Sequence, residues 1–401
     1  MKNIIEKEQK ACFDFFWNEV SLSDEVYGLI RDNTKNKNMC SIASIGFGLP
    51  AIVVGVERGY VSYEEANERV VRTLRTMKEK PERIHGFYYH FIEMDTARRY
   101  SKCEISIIDT AIFLMGALTA GEYFGGEAAR LAEEIYADVD WQWYRNPDKN
   151  QFYMGYNENQ NGHFGAWDHY AEQFMMYFLG VAAPNYAVEP TIFYDCPLYC
   201  NTYKDSGIIY HSHGGGLFVY QFSHAFLDLK GKKDRRGIDW FENSVRASKA
   251  NRQYCIDNPL NLKTYGENAW GMTACDTRDG YDGLIGSAPS GGNSTSHRST
   301  GTVAAAGAIG SMPFAPEECI AALENYMTYP KFIGEYGLKD AYNLNQNWYA
   351  PDTLGIDKGI SLLMIANYES EIIWDLFMRN ENVQTGMEVL GFTDVEESET
   401  E

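Results

Sequence analysis

Basic residues are scarce in this chain: 35 Lys and Arg stand against 56 Asp and Glu, a formal net charge of −21. So acidic a surface repels phosphate backbones and anionic lipids, so neither nucleic acid nor a membrane is expected as a partner, and a neutral ligand suits it. No Cys-x-x-Cys pair occurs among the eight cysteines. Only Cys196 and Cys200 lie close together, and they lack the second pair of a zinc site. All eight are expected as free thiols in a reducing compartment. There is no Gly-x-Ser-x-Gly elbow for Ser-His-Asp chemistry. Gly214–Gly216 and the Gly/Ser-rich run 286–301 lack the strand and Lys of a phosphate loop, and Asp276-x-x-Asp279-Gly lacks the spacing and closing Glu of a calcium loop. The N-terminus, MKNIIEKEQKACFDFFWNEV, has no apolar core or small-residue cleavage site, and nothing reads as a membrane span. The chain is therefore expected in the cytoplasm, unless a signal has been removed.

What is abundant is aromatic: 28 Tyr, 21 Phe and 8 Trp. Such rings stack on sugar faces or fill a core. Helical signals follow one another in pairs, one amphipathic and one apolar. The pairs are 3–20 with 41–57, 63–80 with 104–124, and 126–143 with 168–180. They continue as 187–205 with 217–229, 239–257 with 302–311, and 316–329 with 357–369, before a last amphipathic segment at 371–390. Polar helices outside apolar ones predict two concentric rings, an all-α (α/α)6 toroid with long active-site loops and a few short hairpins near 151–156 and 207–213. The expected organisation is one catalytic domain over 1–392 and an acidic tail, 393–401.

The stretch Gly162–Gly180 (GHFGAWDHYAEQFMMYFLG) concentrates the chemistry. Its second half has no polar face, and at its mouth Asp168 and Glu172 are one turn apart and therefore on the same face. A carboxyl half-sunk among Trp167, His169 and Tyr170 tends towards a raised pKa, as a general acid needs, although capping or pairing with Arg would also explain it. Further groups precede the other apolar segments: His85–His90 leading to Glu104 and Asp109, Gln221–His224 near His211 and His213, Tyr265–Gly271 followed by Asp276, Asp279 and Tyr281, and Trp348 before Gly355–Gly359. Glu104 and Asp109 serve equally well as helix-start residues. The histidines lack carboxylate or thiol partners at ligand spacing, so no metal is expected. A water-excluding cleft with several carboxylates and many rings suits an inverting glycosidase, in which one acid protonates the leaving oxygen and a second carboxylate activates water. The residues leave the base open among Asp357, Glu267 and Glu104.

The sequence also resembles a family, the glucoamylase-like (α/α)6 proteins placed with glycoside hydrolase family 144, the bacterial β-1,2-glucanases. The resembling residues are Ser41–Leu49 (SIASIGFGL) with Gly55–Gly59, Gly86–His90, Ile107–Thr110, Trp167–Glu172, Gln221–His224 with Phe241–Ser244, Tyr265–Asp276 and Gly355–Gly359. They run in order from about residue 10 to about 392. The resemblance implies hydrolysis of β-1,2-linked glucose chains with inversion and without a metal or other cofactor. Glu172 would be the general acid, acting partly through a substrate hydroxyl, and Asp357 the general base. Glu104, Asp109, Gln221, His224, Tyr265, Glu267, Trp270 and Trp348 would line the sugar subsites, with Trp167, His169 and Tyr281 beside them. Two features depart from the family: Lys358-Gly359-Ile360 replaces its Gln and Gly-Pro after the aspartate, and the loop 195–216 is unusual. A Lys there would depress the pKa of Asp357 or fill part of a subsite. The rival readings are the same fold acting on another linkage or as an exo-acting or transglycosylating relative, and a non-catalytic carbohydrate-binding protein.

Overall fold

In the computed structural model, which describes residues 2–160, 162–292 and 296–395, each apolar segment lies inside and each amphipathic one outside. The helices are α1 (Lys2–Asn18), α2 (Ile42–Glu57), α3 (Tyr63–Glu79), α4 (Ile107–Phe124), α5 (Gly126–Ala137), α6 (Trp141–Tyr144) and α7 (Phe174–Ala182). After them come α8 (Thr191–Tyr194), α9 (Trp240–Asp257), α10 (Ala305–Ile309), α11 (Pro316–Tyr326), α12 (Gly355–Ser370), α13 (Ile372–Phe377) and α14 (Glu381–Leu390). α2 packs on α4, α4 on α7, α10 on α12, and α12 returns to α2, closing the inner ring of an (α/α)6 toroid. α3 shows the outer type: the capping box of Ser62 and Glu65 opens it, and Ala66, Val70, Leu74 and Met77 form its one buried stripe.

Two inner helices touch through their backbones. Pro50 lies inside α2 and has no N–H for the carbonyl of Gly46. That oxygen faces α4 at Gly116, where a Cβ would stand 1.8 Å from it. Glycine at both positions lets the axes approach this closely. α4 is long and apolar enough to cross a membrane, which the sequence reading did not anticipate, but 83% of its apolar window is buried within the protein.

The ring departs from the expected pattern where polar side chains or prolines interrupt a helix. The fourth inner position, expected as 217–229, consists of two 3₁₀ turns, Leu217–Tyr220 and Ser223–Ala225. Side chains tie them to their neighbours. Ser223 Oγ accepts the Met175 N–H of α7 at 3.1 Å, Gln221 Nε2 donates to Gly307 O of α10 at 2.7 Å, and Asn367 of α12 donates to Ala225 O at 2.9 Å. The outer segment 187–205 yields α8 as its only helix, because Pro190 and Pro197 break it, and α14 packs against α7 instead. Within 302–311 only Ala305–Ile309 is helical, after a strand at Val303–Ala304. The segment 371–390 is divided at Asn380, whose side chain accepts the N–H groups of Asn382 and Val383.

The expected hairpins are present, with strands at Gln151–Phe152, Gly155–Asn157 and Ile209–His211. Thr393–Asp394 pairs with Lys232–Lys233, so the tail begins as a strand, and its acidic end, 396–401, lies outside the described residues, as do 293–295 of the Gly/Ser-rich run. All eight cysteines are unpaired. The buried apolar core is continuous from Ile5 to Leu390.

Candidate active site

Three inner helices point their N-terminal ends at a cavity of about 240 Å³. Asp109 stands in the first turn of α4, Asp357 in the first turn of α12, and Glu172 two residues before α7. His90, Gln221, Thr273 and Tyr281 add to the polar lining, and Ile108, Ile112, Phe218, Phe222 and Ile360 make the walls apolar. A helix start favours a carboxylate through its free N–H groups and its dipole, while apolar walls disfavour the charge. Local neighbours therefore decide the state of each acid.

Glu172 is half-buried. Its carboxyl is pushed up to about 8, first by removal from water and then by the negative charge of Asp109, with His90 pulling the other way. It therefore holds its proton at neutral pH. Asp357 is pushed up to about 7 by burial, with Asp276 and Asp32 also raising it, while Lys358 and a hydrogen bond from Asp340 hold it down.

His90 sits between two carboxylates: its Nδ1 is 2.8 Å from Glu104 Oε1 and its Nε2 is 3.5 Å from Asp109 Oδ2. Burial opposes a charge on the ring, but Asp109 and Glu104 outweigh it and raise the imidazole to about 9. His90 is thus a cation at neutral pH, and its hydrogen bond lowers Glu104. Sequence reasoning passed through His90 without choosing it; its position after Gly86-Phe-Tyr-Tyr and before two acids was the available signal.

Asp340 was missed altogether. It is 2% exposed, and its Oδ2 accepts the Asp276 N–H at 2.7 Å. Asp340 Oδ1 and Asp357 Oδ2 are both sealed from solvent with no hydrogen-bond partner, and each acid bears on the protonation of the other. Burial and the charge of Asp357 hold Asp340 well above the ordinary carboxyl range. The local sequence Lys339-Asp340-Ala341 reads as an ordinary turn, so nothing nearby in the chain marks it.

The other expected residues divide into two groups. Asp109 lines the cavity and is 6% exposed. Gln221 also lines it, but its amide is committed to Gly307 O and Ser311 Oγ. Tyr281, 71% exposed, stands at the mouth. Glu104 lies behind His90 and does not line the cavity.

Several expectations are corrected. Trp270 is completely buried and belongs to the core. His224 is packed against Phe241 and Phe314, also in the core. Tyr265 is buried, its hydroxyl accepting the Gly301 N–H at 3.1 Å, so it holds a loop. Glu267 is on the surface, paired with Arg252 at 3.1 Å. Trp167 supports α7 by accepting the Tyr177 hydroxyl on its carbonyl, and half-buried Trp348 sits in a hairpin; neither lines the cavity. Asp168 does not share a helical face with Glu172, because α7 begins only at Phe174. The Gln173 side chain accepts the Ala171 N–H and donates to the His169 carbonyl, and this local competition holds the preceding turn. Asp168 instead pairs with His169 at 2.8 Å, near the rings of Tyr199 and His213 and outside the cavity lining. Lys358 fills no subsite: it turns away to Glu8 of α1 at 2.7 Å, with both side chains nearly sealed. Among the described residues, no three His, Cys, Asp or Glu side chains converge in the manner of a metal site.

Comparison with known proteins agrees with this architecture. A family described as "Putative glucoamylase" (Glycoamylase) matches residues 165–381, more than half of the chain. An exo β-1,2-glucooligosaccharide sophorohydrolase (non-reducing end) from Parabacteroides distasonis is 29% identical over 430 residues, covering 96% of this chain and 57% of that protein. The chain thus spans little more than half the length of this curated relative. A Bacteroides uniformis crystal structure of the same glucoamylase description has a TM-score of 0.87 at 30% identity, covering 98% of both chains. An endo-β-1,2-glucanase from Chitinophaga pinensis, solved with sophorotriose and glucose, has a TM-score of 0.86 at 28% identity, again covering 98% of each. The ring of helices, the ordered motifs and these matches together place the chain in the glucoamylase-like family.

Proposed function

We propose that this chain is a glycoside hydrolase acting on β-1,2-linked gluco-oligosaccharides, with Glu172 as general acid and Asp357 as general base. The observation that carries this reading is a pair of carboxyls on one cavity, drawn by different neighbours to about 8 and about 7. Titratable groups whose surroundings set them apart in this way commonly divide the acid and base roles. Glu172 gives its proton towards the leaving glycosidic oxygen, directly or through a substrate hydroxyl. Asp357 takes a proton from water as that water's oxygen bonds to the anomeric carbon and the glycosidic bond breaks. The configuration inverts, and one proton then returns from Asp357 to Glu172 through solvent. Asp109, held beside the His90 cation, is placed to bind sugar hydroxyls, and the exposed ring of Tyr281 offers a face for a pyranose.

The β-1,2 linkage is supported by the named activities of the relatives from P. distasonis and C. pinensis. A cavity of about 240 Å³ is small beside ordinary ligand sites of roughly 300–1,000 Å³, which favours short chains bound by an end. The endo-acting relative keeps internal cleavage of polymer as the second reading.

The test is incubation with short β-1,2-oligosaccharides and with linear β-1,2-glucan, following the anomer by NMR. The expected result is preferential cleavage of the short chains with the α-anomer appearing first. kcat/KM should fall below about pH 7, as Asp357 gains a proton, and above about pH 8, as Glu172 loses one. Failure to cut either substrate would remove the linkage reading, and rapid shortening of the polymer would move the assignment to the endo class.

A further inference from the structure

Asp340 is buried and is not among the residues that line the cavity, and its surroundings restrict what it can be. One oxygen is occupied by the Asp276 N–H at 2.7 Å. The other, like Asp357 Oδ2, is sealed from water with no donor from the rest of the protein. Two ionised carboxylates buried close enough to act on each other, with no donor between them, are strongly unfavourable, and buried polar atoms are normally satisfied. The nearby cation cannot bridge them, because Lys358 Nζ is turned to Glu8 at 2.7 Å. Asp276 and Asp32 add only negative charge and Cys275 and Tyr281 none, while the other cation of the cavity, His90, is held between Glu104 and Asp109. One proton held between the two side chains satisfies both orphaned oxygens.

We infer that Asp340 is a positioning residue for the base, a neutral carboxylic acid that donates its proton to Asp357 Oδ2 and leaves Oδ1 for the reacting water. This rests on the reading of Asp357 as general base. The Asp340 proton stays in place through the cycle, while the proton taken from water resides on Asp357 until it is lost to solvent. The hydrogen bond fixes the direction of the base and favours its ionised form, as a donor to a carboxylate does. The two acids consequently titrate as a pair.

Two substitutions in the full chain separate this arrangement from an ionised Asp340. In Asp340→Asn the amide N–H₂ replaces the acid proton and the amide oxygen still accepts the Asp276 N–H. The acid limb of kcat/KM on a short β-1,2-oligosaccharide should stay within about 0.3 pH unit of wild type. Asp340→Ala removes the donor, so the acid limb should move up by about one pH unit, with about a tenfold loss on the acidic flank. A downward shift in both variants would overturn the inference, because it would mean that an anionic neighbour had been removed.

A second readout needs no hydrolysis. An acid whose folded-state pKa is raised contributes stability that is present below its unfolded pKa and is lost as pH rises through the folded pKa. Asp340→Asn should therefore melt above wild type at pH 8, with the difference shrinking towards pH 4. A difference independent of pH would refute a protonated Asp340. If Asp340→Ala does not fold, the Asn variant alone decides by its profile and its melting. If wild type hydrolyses nothing, the functional reading fails while the melting series still tests the shared proton.

Discussion

Glu172 and Asp357 open onto one cavity and both titrate near neutrality, but their supports differ. Glu172 hangs from a turn ahead of α7, and removal from water acts on it first, then repulsion from Asp109, with a partial correction from His90. Asp357 is fixed in the first turn of α12, with the Lys358 cation beside it and Asp340 behind it. Removal from water alone keeps a proton on an acid; a cation and a donor nearby let the proton leave. The contrast indicates that roles are set less by the carboxyl itself than by the groups surrounding it.

The largest effect should come from removing each carboxyl in turn. Glu172→Gln and Asp357→Asn are each expected to lower kcat by about 10²–10⁴-fold. A sophoroside with a nitrophenolate leaving group separates the two, since that group departs without a proton: Glu172→Gln should regain most of its rate, and Asp357→Asn should not. Equal rescue of both variants would erase the distinction.

Lys358→Met breaks the support under Asp357. It leaves Glu8 buried and unpaired, at a cost of about 3–5 kcal/mol in denaturant unfolding. It also removes a cation that lowers Asp357, so the acid limb should rise. Adding Glu8→Gln should restore most of the stability without restoring the limb. His90→Gln probes the other side, and the effect should be smaller. Because His90 lowers Glu172, its loss should move the basic limb to higher pH by less than about one unit, with kcat/KM falling less than about tenfold. The smallest change is expected for Glu267→Gln, because this exposed residue pairs with Arg252 outside the cavity. Rates within about twofold of wild type would agree with the low worth of surface pairs; a large loss would return Glu267 to the candidates for base.

The paired helix pattern was legible because burial on all sides and burial on one side leave different compositions, as in α2 and α3. Family motifs drew attention to Glu172, Asp109 and Asp357, which do meet at one cavity. Other positions misled for identifiable reasons. Trp270 and His224 have residue types suited to a cleft but sit where the core needs volume or a small polar ring. The turn before α7 depends on the Gln173 side chain folding back on its own backbone, which helical periodicity does not register. Asp340 acquires its meaning only from a strand end brought behind α12, a contact made by the fold and not by local spacing.

The closure of the inner ring, α12 against α2, also bears on the order in which the protein becomes competent. Lys358 reaches Glu8 across 350 positions of chain, and Gly355 N–H bonds to Asp32 O. Contacts so distant along the sequence form slowly and, during synthesis, only after α12 has emerged. Until then a nascent chain already carries Glu172, Asp109 and His90, but the wall bearing Asp357 is absent and the apolar faces of α2 are open. Premature termination before α12 would thus give a species with Glu172 but without Asp357, one that exposes the surfaces on which aggregation and quality-control proteases act.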